Sequence, residues 1–142
     1  MQNSFLKELE GKIDLSRIHF TGSLPYTDFL HLLRITAVHV YLTYPFVLSW
    51  SLLEAMSSEA PIVGSATAPV QEVIRDGENG LLVDFFDAKQ LADSINLLLR
   101  DRKLAKSLGS AARETILRRY SLDMCLPQQL SLMKLVAGRA FI

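Results

Sequence analysis

The sequence predicts an α/β domain of three layers, with helices on both faces of a parallel sheet. Two observations carry this. Short apolar or alternating runs recur between segments whose apolar residues repeat at helical spacing, and the connections between them are short. The composition agrees: 142 residues, 49% hydrophobic and 21% charged, describe one globular domain. A chain of this length can remove roughly 68–70% of its unfolded surface from water without metals or crosslinks.

Arg17-Ile18-His19-Phe20-Thr21-Gly22 alternates apolar and polar residues and stops at a glycine, which predicts the first strand. After Pro25, residues Tyr26, Phe29, Leu30 and Leu33 form the stripe of an amphipathic helix. Ala37 to Leu42 is nearly continuously apolar, as in a strand covered on both faces, and Pro45 ends its ladder. Ser49 or Ser51 is the expected cap of a helix to about Ser57, buried through Leu52, Leu53 and Met56. Pro61 to Gly64 predicts a third strand. Thr67-Ala68-Pro69 opens a short helix whose inner face is Val70, Val73 and Ile74, ending before Asp76-Gly77. Asn79-Gly80 turns the chain into a fourth strand, Leu81 to Val83. Leu91, Ile95, Leu98 and Leu99 mark a long helix, a further one covers 102–119, and Ser121 caps the last. Strands alternating with helices in this way specify right-handed crossovers and a Rossmann-like layering. Four strands are few for a doubly wound sheet, so the domain is expected to lack its first strands. That would leave apolar surface open and favour a homo-oligomer.

Several function classes are disfavoured. Fifteen basic and fifteen acidic residues cancel, leaving no field to drive nucleic-acid binding. The basic residues from Arg100 to Arg119 are interspersed with Asp101 and Glu114, as on a solvated face. Cys125 is the single cysteine, so no intrachain disulfide exists and a cytoplasmic location is expected. Residues 1–15 carry charges throughout, unlike a signal peptide. The nineteen residues from Ile35 to Leu53 have no formal charge, but Thr36, His39, Thr43, Pro45, Ser49 and Ser51 favour strand, turn and helix over a membrane span. His19, His31 and His39 have no metal-binding spacing and are read as structural.

In open α/β sheets, ligands lie at the carboxyl ends of strands. Three loops qualify: Thr21-Gly22-Ser23, Thr43 to Ser51, and Gly64 to Pro69. All are rich in small residues that let backbone N–H groups approach an anion, although the same residues also make ordinary turns. Glu54, inside the apolar stretch Trp50 to Met56, is the most informative charge. It reads either as a carboxylate set to accept hydrogen bonds from a ribose diol, or as a residue of the helix's polar face.

Residues 17–120 resemble the nucleotide-sugar-binding C-terminal domain of family 4 (group 1) glycosyltransferases of the GT-B fold. The resemblance rests on an ordered series: Arg17 to Gly22, Ala37-Val38-His39-Val40, Leu52-Leu53-Glu54-Ala55-Met56, Ala60 to Ser65, and Val70 to Val83. It divides the chain into an N-terminal segment at 1–16, the donor-nucleotide domain at 17–120 and a C-terminal helical tail at 121–142. It implies that Glu54 is the second glutamate of an E-x7-E motif and holds ribose. The first glutamate, which touches the donor sugar, is replaced by Phe46, and the glycine-rich stretch by Val47-Leu48-Ser49-Trp50. Backbone N–H groups of Leu48, Ser49 and Trp50 would hold the distal phosphate, and Phe20, Thr21 and Gly22 would border the base. The Arg/Lys pair that clamps the diphosphate has no match; Lys7 and Lys12 lack the strand context for it.

The resemblance implies a retaining glycosyltransferase, of which this chain is the donor-binding portion and inactive by itself. A nucleoside-diphosphate sugar would be the donor substrate, with no cofactor, no metal and an acceptor-binding N-terminal domain as partner. No residue reads as a general base. The alternative is a non-catalytic binding or assembly module that keeps the fold and has lost the sugar site, which Phe46 motivates.

Overall fold

The computed structural model describes residues 14–44 and 46–139. The segment with Lys7 and Lys12, and Pro45 as ladder terminator, lie outside the described residues. In chain order come α1 (Tyr26–Ile35), β1 (His39–Tyr41), α2 (Trp50–Ser57), β2 (Ile62–Ser65), α3 (Ala68–Gln71), β3 (Leu81–Val83), α4 (Ala88–Arg100), α5 (Arg102–Arg119) and α6 (Leu122–Arg139). The sheet has the order β1-β2-β3 and is parallel, with Val40 opposite Val63 and Gly64 opposite Leu82.

Two cores form because successive residues of β2 face opposite sides. Ile62 joins Leu33, Leu52, Met56, Val70 and Ile74 on one face, whereas Val63 joins Val83, Leu98 and Leu108 on the other. These are the two interfaces of the expected three layers. Helix α5 belongs to both, through Ala112 and Ile116 in one core and Ala105 and Leu108 in the other. Asp87 caps α4 by accepting from Gln90 N–H, and Asp101 caps α5 by accepting from the N–H groups of Lys103 and Leu104.

Several expectations are corrected. Residues 17–22 are not a strand: a 3-10 turn at Leu15–Arg17 leads into irregular chain, and Ile18, His19 and Phe20 are exposed. Alternation makes a strand only where a neighbouring ladder accepts its backbone, and none of the three described strands pairs with this stretch. His19 is therefore not a strand residue. The run from Ala37 to Leu42 yields only a three-residue edge strand, and Val40 is exposed rather than covered on both faces. Helix α3 stops at Gln71, with Val73 and Ile74 buried from the turns that follow. Leu99 is exposed, leaving Leu98 as the buried residue of α4. Ser121 does not cap through its side chain, because its hydroxyl donates back to the Leu117 carbonyl.

Candidate functional site

The carboxyl edge of the sheet is built by three connections. The one after β1 is fastened twice. Ser65, wholly buried at the end of β2, accepts from Thr43 N–H (3.1 Å) and donates to Thr43 O (3.0 Å) through its hydroxyl. Further on, Ser49 N–H donates to Tyr41 Oη (2.8 Å), which folds the connection back over β1. Ser49 is also the N-cap of α2: its hydroxyl accepts from Ser51 N–H and lies 3.0 Å from Ser51 Oγ. Of the three backbone N–H groups expected to hold phosphate, that of Ser49 is thus committed to Tyr41. The side chains of Phe46, Val47 and Trp50 project into solvent, with Trp50 83% exposed, while Leu48 packs partly against the core.

Glu54 lies in the second turn of α2, half-buried, on the side that meets α1. It accepts a hydrogen bond from Tyr26 Oη across 28 residues of chain, at 3.0 Å. That bond to the carboxylate raises the Tyr26 phenol above its usual range, because ionising the donor would forfeit it. Together Glu54 and Tyr26 line a groove of about 180 Å³ with Leu30, Arg34, Ser57 and Arg113. Tyr26 reads from the sequence only as one member of a core-facing stripe. Its contact with Glu54 depends on how α1 crosses α2, which no local pattern encodes.

Thr21 and Gly22 are exposed on the segment that enters α1. Gly22 has φ +62°, a left-handed conformation that glycine adopts without strain, and nothing lies within 4 Å of where a Cβ would stand. Only Pro25 and two further residues separate Gly22 from Tyr26, so this loop and Glu54 belong to one end of α1. The third loop is less open to an anion. Ala66 N–H donates to Val83 O and Thr67 N–H to Ser65 O, although Thr67 Oγ1 is buried without a partner.

A larger cleft, about 260 Å³, is lined by Arg75, Asn79, Thr115, Arg118 and Arg119, beside the turn that precedes β3. Arg75 pairs with Glu78 and Arg118 with Glu114, and the Asn79 amide accepts from Arg75 N–H and donates both its N–H groups, to Val73 O and Thr115 Oγ1. Most of the cleft's charged groups are paired with one another at the surface, and it lies beside the turn that leads into β3, at the amino edge of the sheet. His39 is desolvated, which lowers its pKa, and its Nε2 is buried without a partner rather than hydrogen-bonded. Among the described residues, no three His, Cys, Asp or Glu side chains gather as a metal-binding group. No described helix is long and apolar enough to cross a membrane.

Comparison with known proteins places these observations in a family. The model for "Glycosyl transferases group 1" matches residues 2–115. A curated relative, the N-acetyl-alpha-D-glucosaminyl L-malate synthase of Bacillus anthracis, is 32% identical over 77 residues, covering 54% of this chain and 20% of that protein. Among solved structures, a TarM mutant of S. aureus in complex with Fondaparinux, alpha-GlcNAc-glycerol and UDP is 29% identical with a TM-score of 0.77, covering 92% of this chain and 26% of that one. Sucrose-phosphate synthase from Thermosynechococcus elongatus is 26% identical with a TM-score of 0.78, covering 96% and 34%. The chain therefore spans about a fifth to a third of the length of these proteins.

Proposed function

The chain belongs to the group 1 glycosyl transferases of the GT-B fold, and from that premise we propose that it is the donor-binding portion of a retaining enzyme that moves a sugar from a nucleoside-diphosphate sugar to an acceptor hydroxyl. The observation that carries this is the placement of Glu54: a half-buried carboxylate near the capped start of α2, held by one phenol and facing a groove. A carboxylate accepts through both oxygens, so a bond from Tyr26 to Oε1 leaves Oε2 free for a vicinal diol. The start of α2 lies toward the phosphates in this reading, where the helix dipole favours negative charge. Thr21 and Gly22 border the base, and Phe46, Leu48, Ser49 and Trp50 surround the diphosphate and sugar. The TarM structure, a relative of which this chain resembles one domain, holds UDP.

In this mechanism the acceptor oxygen bonds to the anomeric carbon as the bond from that carbon to phosphate breaks on the same face, and the departing phosphate takes the acceptor's proton. This chain's share is to hold the donor and to stabilise the developing phosphate charge with backbone N–H groups. The acceptor site belongs to an N-terminal domain, so the chain alone binds donor and transfers nothing. The working location is the cytoplasm.

Titration calorimetry with UDP, in parallel on the parent and Glu54→Ala, tests the reading. Removing the diol's acceptor costs about 1–3 kcal/mol, a loss of about five- to 150-fold in affinity. A second reading, a binding or assembly module without donor chemistry, is favoured by Phe46 standing exposed where the motif has a glutamate. Nucleoside-diphosphate binding that is absent even with an upstream domain joined would establish that second reading.

A further inference from the structure

Three aromatic rings meet at the carboxyl edge, on the connections that follow β1 and β3. Tyr44 and Phe85 have ring centroids 5.4 Å apart, Tyr44 and Phe86 5.3 Å, and Phe85 and Phe86 5.0 Å. The cluster is not a core: Phe86 is 73% exposed and Tyr44 57%. Nor is it loose. Thr43, the neighbour of Tyr44, is clamped in both directions by Ser65 Oγ. Phe86 N–H donates to the Asp84 carboxylate at 2.8 Å, and Asp84 N–H donates to Gln90 Oε1 at 2.8 Å. Asp87 then starts α4. Both loops are therefore held by polar bonds that leave the rings outward, an arrangement that sacrifices apolar burial for a fixed exposed surface.

We propose that Tyr44, Phe85 and Phe86 form a platform on which a pyranose ring stacks. The inference rests on the donor-binding reading above, and extends it to residues which that reading does not use. Aromatic faces suit the C–H face of a sugar ring, whose hydroxyls stay directed sideways toward water or polar partners. Position selects this ligand over another apolar one. Tyr44 stands two residues before Phe46 in the sequence, on the connection that leads to the capped start of α2, so the platform lies on the same loop as the residues assigned to the donor. Phe46, on the same connection, is itself 73% exposed, so this part of the edge offers a sugar rings rather than charge. The pyranose could be the donor's own sugar or an acceptor residue. The two share one chemistry.

The test is to label the Phe and Tyr rings of the chain with ¹³C and follow their NMR signals during titration with UDP, UDP-glucose, UDP-N-acetylglucosamine and methyl α-D-glucopyranoside, in the parent and in Phe86→Ala. If the ring belongs to the donor, one UDP-sugar binds about two- to tenfold more tightly than UDP. It then shifts the Tyr44 and Phe86 signals, and Phe86→Ala removes that advantage while leaving UDP affinity unchanged. If it belongs to the acceptor, the free glycoside shifts the same signals and Phe86→Ala abolishes the shifts. UDP binding with no response of these rings to any sugar overturns the platform and leaves the donor-binding reading intact. Failure of UDP to bind hands the donor reading to the joined-domain titration above, and the glycoside titration then judges the platform alone: shifts of these rings uphold it and their absence overturns it. Ring shifts that follow protein concentration without sugar show a second copy covering the patch, and overturn the proposal.

Discussion

Gly109→Ala should destabilise the domain, even though alanine is the better helix former. Helices α2 and α5 share the most extensive contact of the helix pairs among the described residues, and Gly109 on α5 sits against the chain that leaves α2. A Cβ at Gly109 would stand 2.2 Å from Glu59 O and 3.1 Å from Glu59 C, both backbone atoms. Rotating a side chain cannot relieve that. Glu59 is in addition held in a left-handed conformation, φ +61°, by the bonds that close α2: Ser58 N–H to Glu54 O, Glu59 N–H to Met56 O and Ala60 N–H to Ala55 O. The helices must separate by about 1 Å to reach ordinary contact. Overpacking of this kind costs about 1–3 kcal/mol, and the upper part of that range applies to backbone against backbone. Helix propensity returns up to about 1 kcal/mol. The net loss is about 1–2 kcal/mol, equivalent to a fall in melting temperature of roughly 2–8 °C for a chain of this size. Gly138→Ala is the control, since nothing lies within 4 Å of its Cβ position on α6; it should be neutral or stabilising by a few tenths of a kcal/mol. Urea unfolding of both variants measures the contrast. A Gly109→Ala domain as stable as the parent would refute the close approach of α5 to the end of α2.

Two further outcomes follow from buried polar groups. Asn79→Ala removes an amide that accepts from Arg75 N–H at 2.7 Å and donates to Val73 O and Thr115 Oγ1. Leaving those groups unpaired should cost about 2–3 kcal/mol, read as a lowered urea midpoint; a change below about 0.5 kcal/mol would mean that solvent already reaches them. Burial lowers the pKa of His39 from its ordinary 6.5, so the unfolded chain takes up this proton before the folded one does. Stability is therefore full above pH 6.5 and declines as pH falls below it, and His39→Gln should flatten that decline. A variant with the parent's slope would place the responsible group elsewhere.

The extent to which the site is legible in the sequence can be judged from individual residues. Leu52, Met56, Val70 and Ile74 are buried where their spacing places them, because helical periodicity is a local property. Helix α5 runs over Arg102–Arg119, the span expected of it, with Asp101 and Tyr120 at its ends. Ser49, one of two candidate caps, is the one that caps α2. The segment 17–22 shows the opposite case, where a correct alternation makes no strand. Pairing is a relation between two segments, and periodicity reads only one. For the same reason the Tyr26–Glu54 bond and the Tyr44–Phe85–Phe86 cluster were invisible, since each joins residues 28 or more positions apart.

Sequence alone carries the layer order, most of the helix faces and the family membership through its spaced motifs, and it marks Glu54 as a candidate ligand. Those features depend on neighbours three or four positions apart, or on an ordered series along the chain. The tertiary structure alone decided what Glu54 touches, that Ser49 N–H is already given to Tyr41, and that the carboxyl edge carries a fixed aromatic surface. The physical reason is that hydrogen bonds and ring contacts form between side chains brought together by packing, and packing is settled only when all the layers close at once.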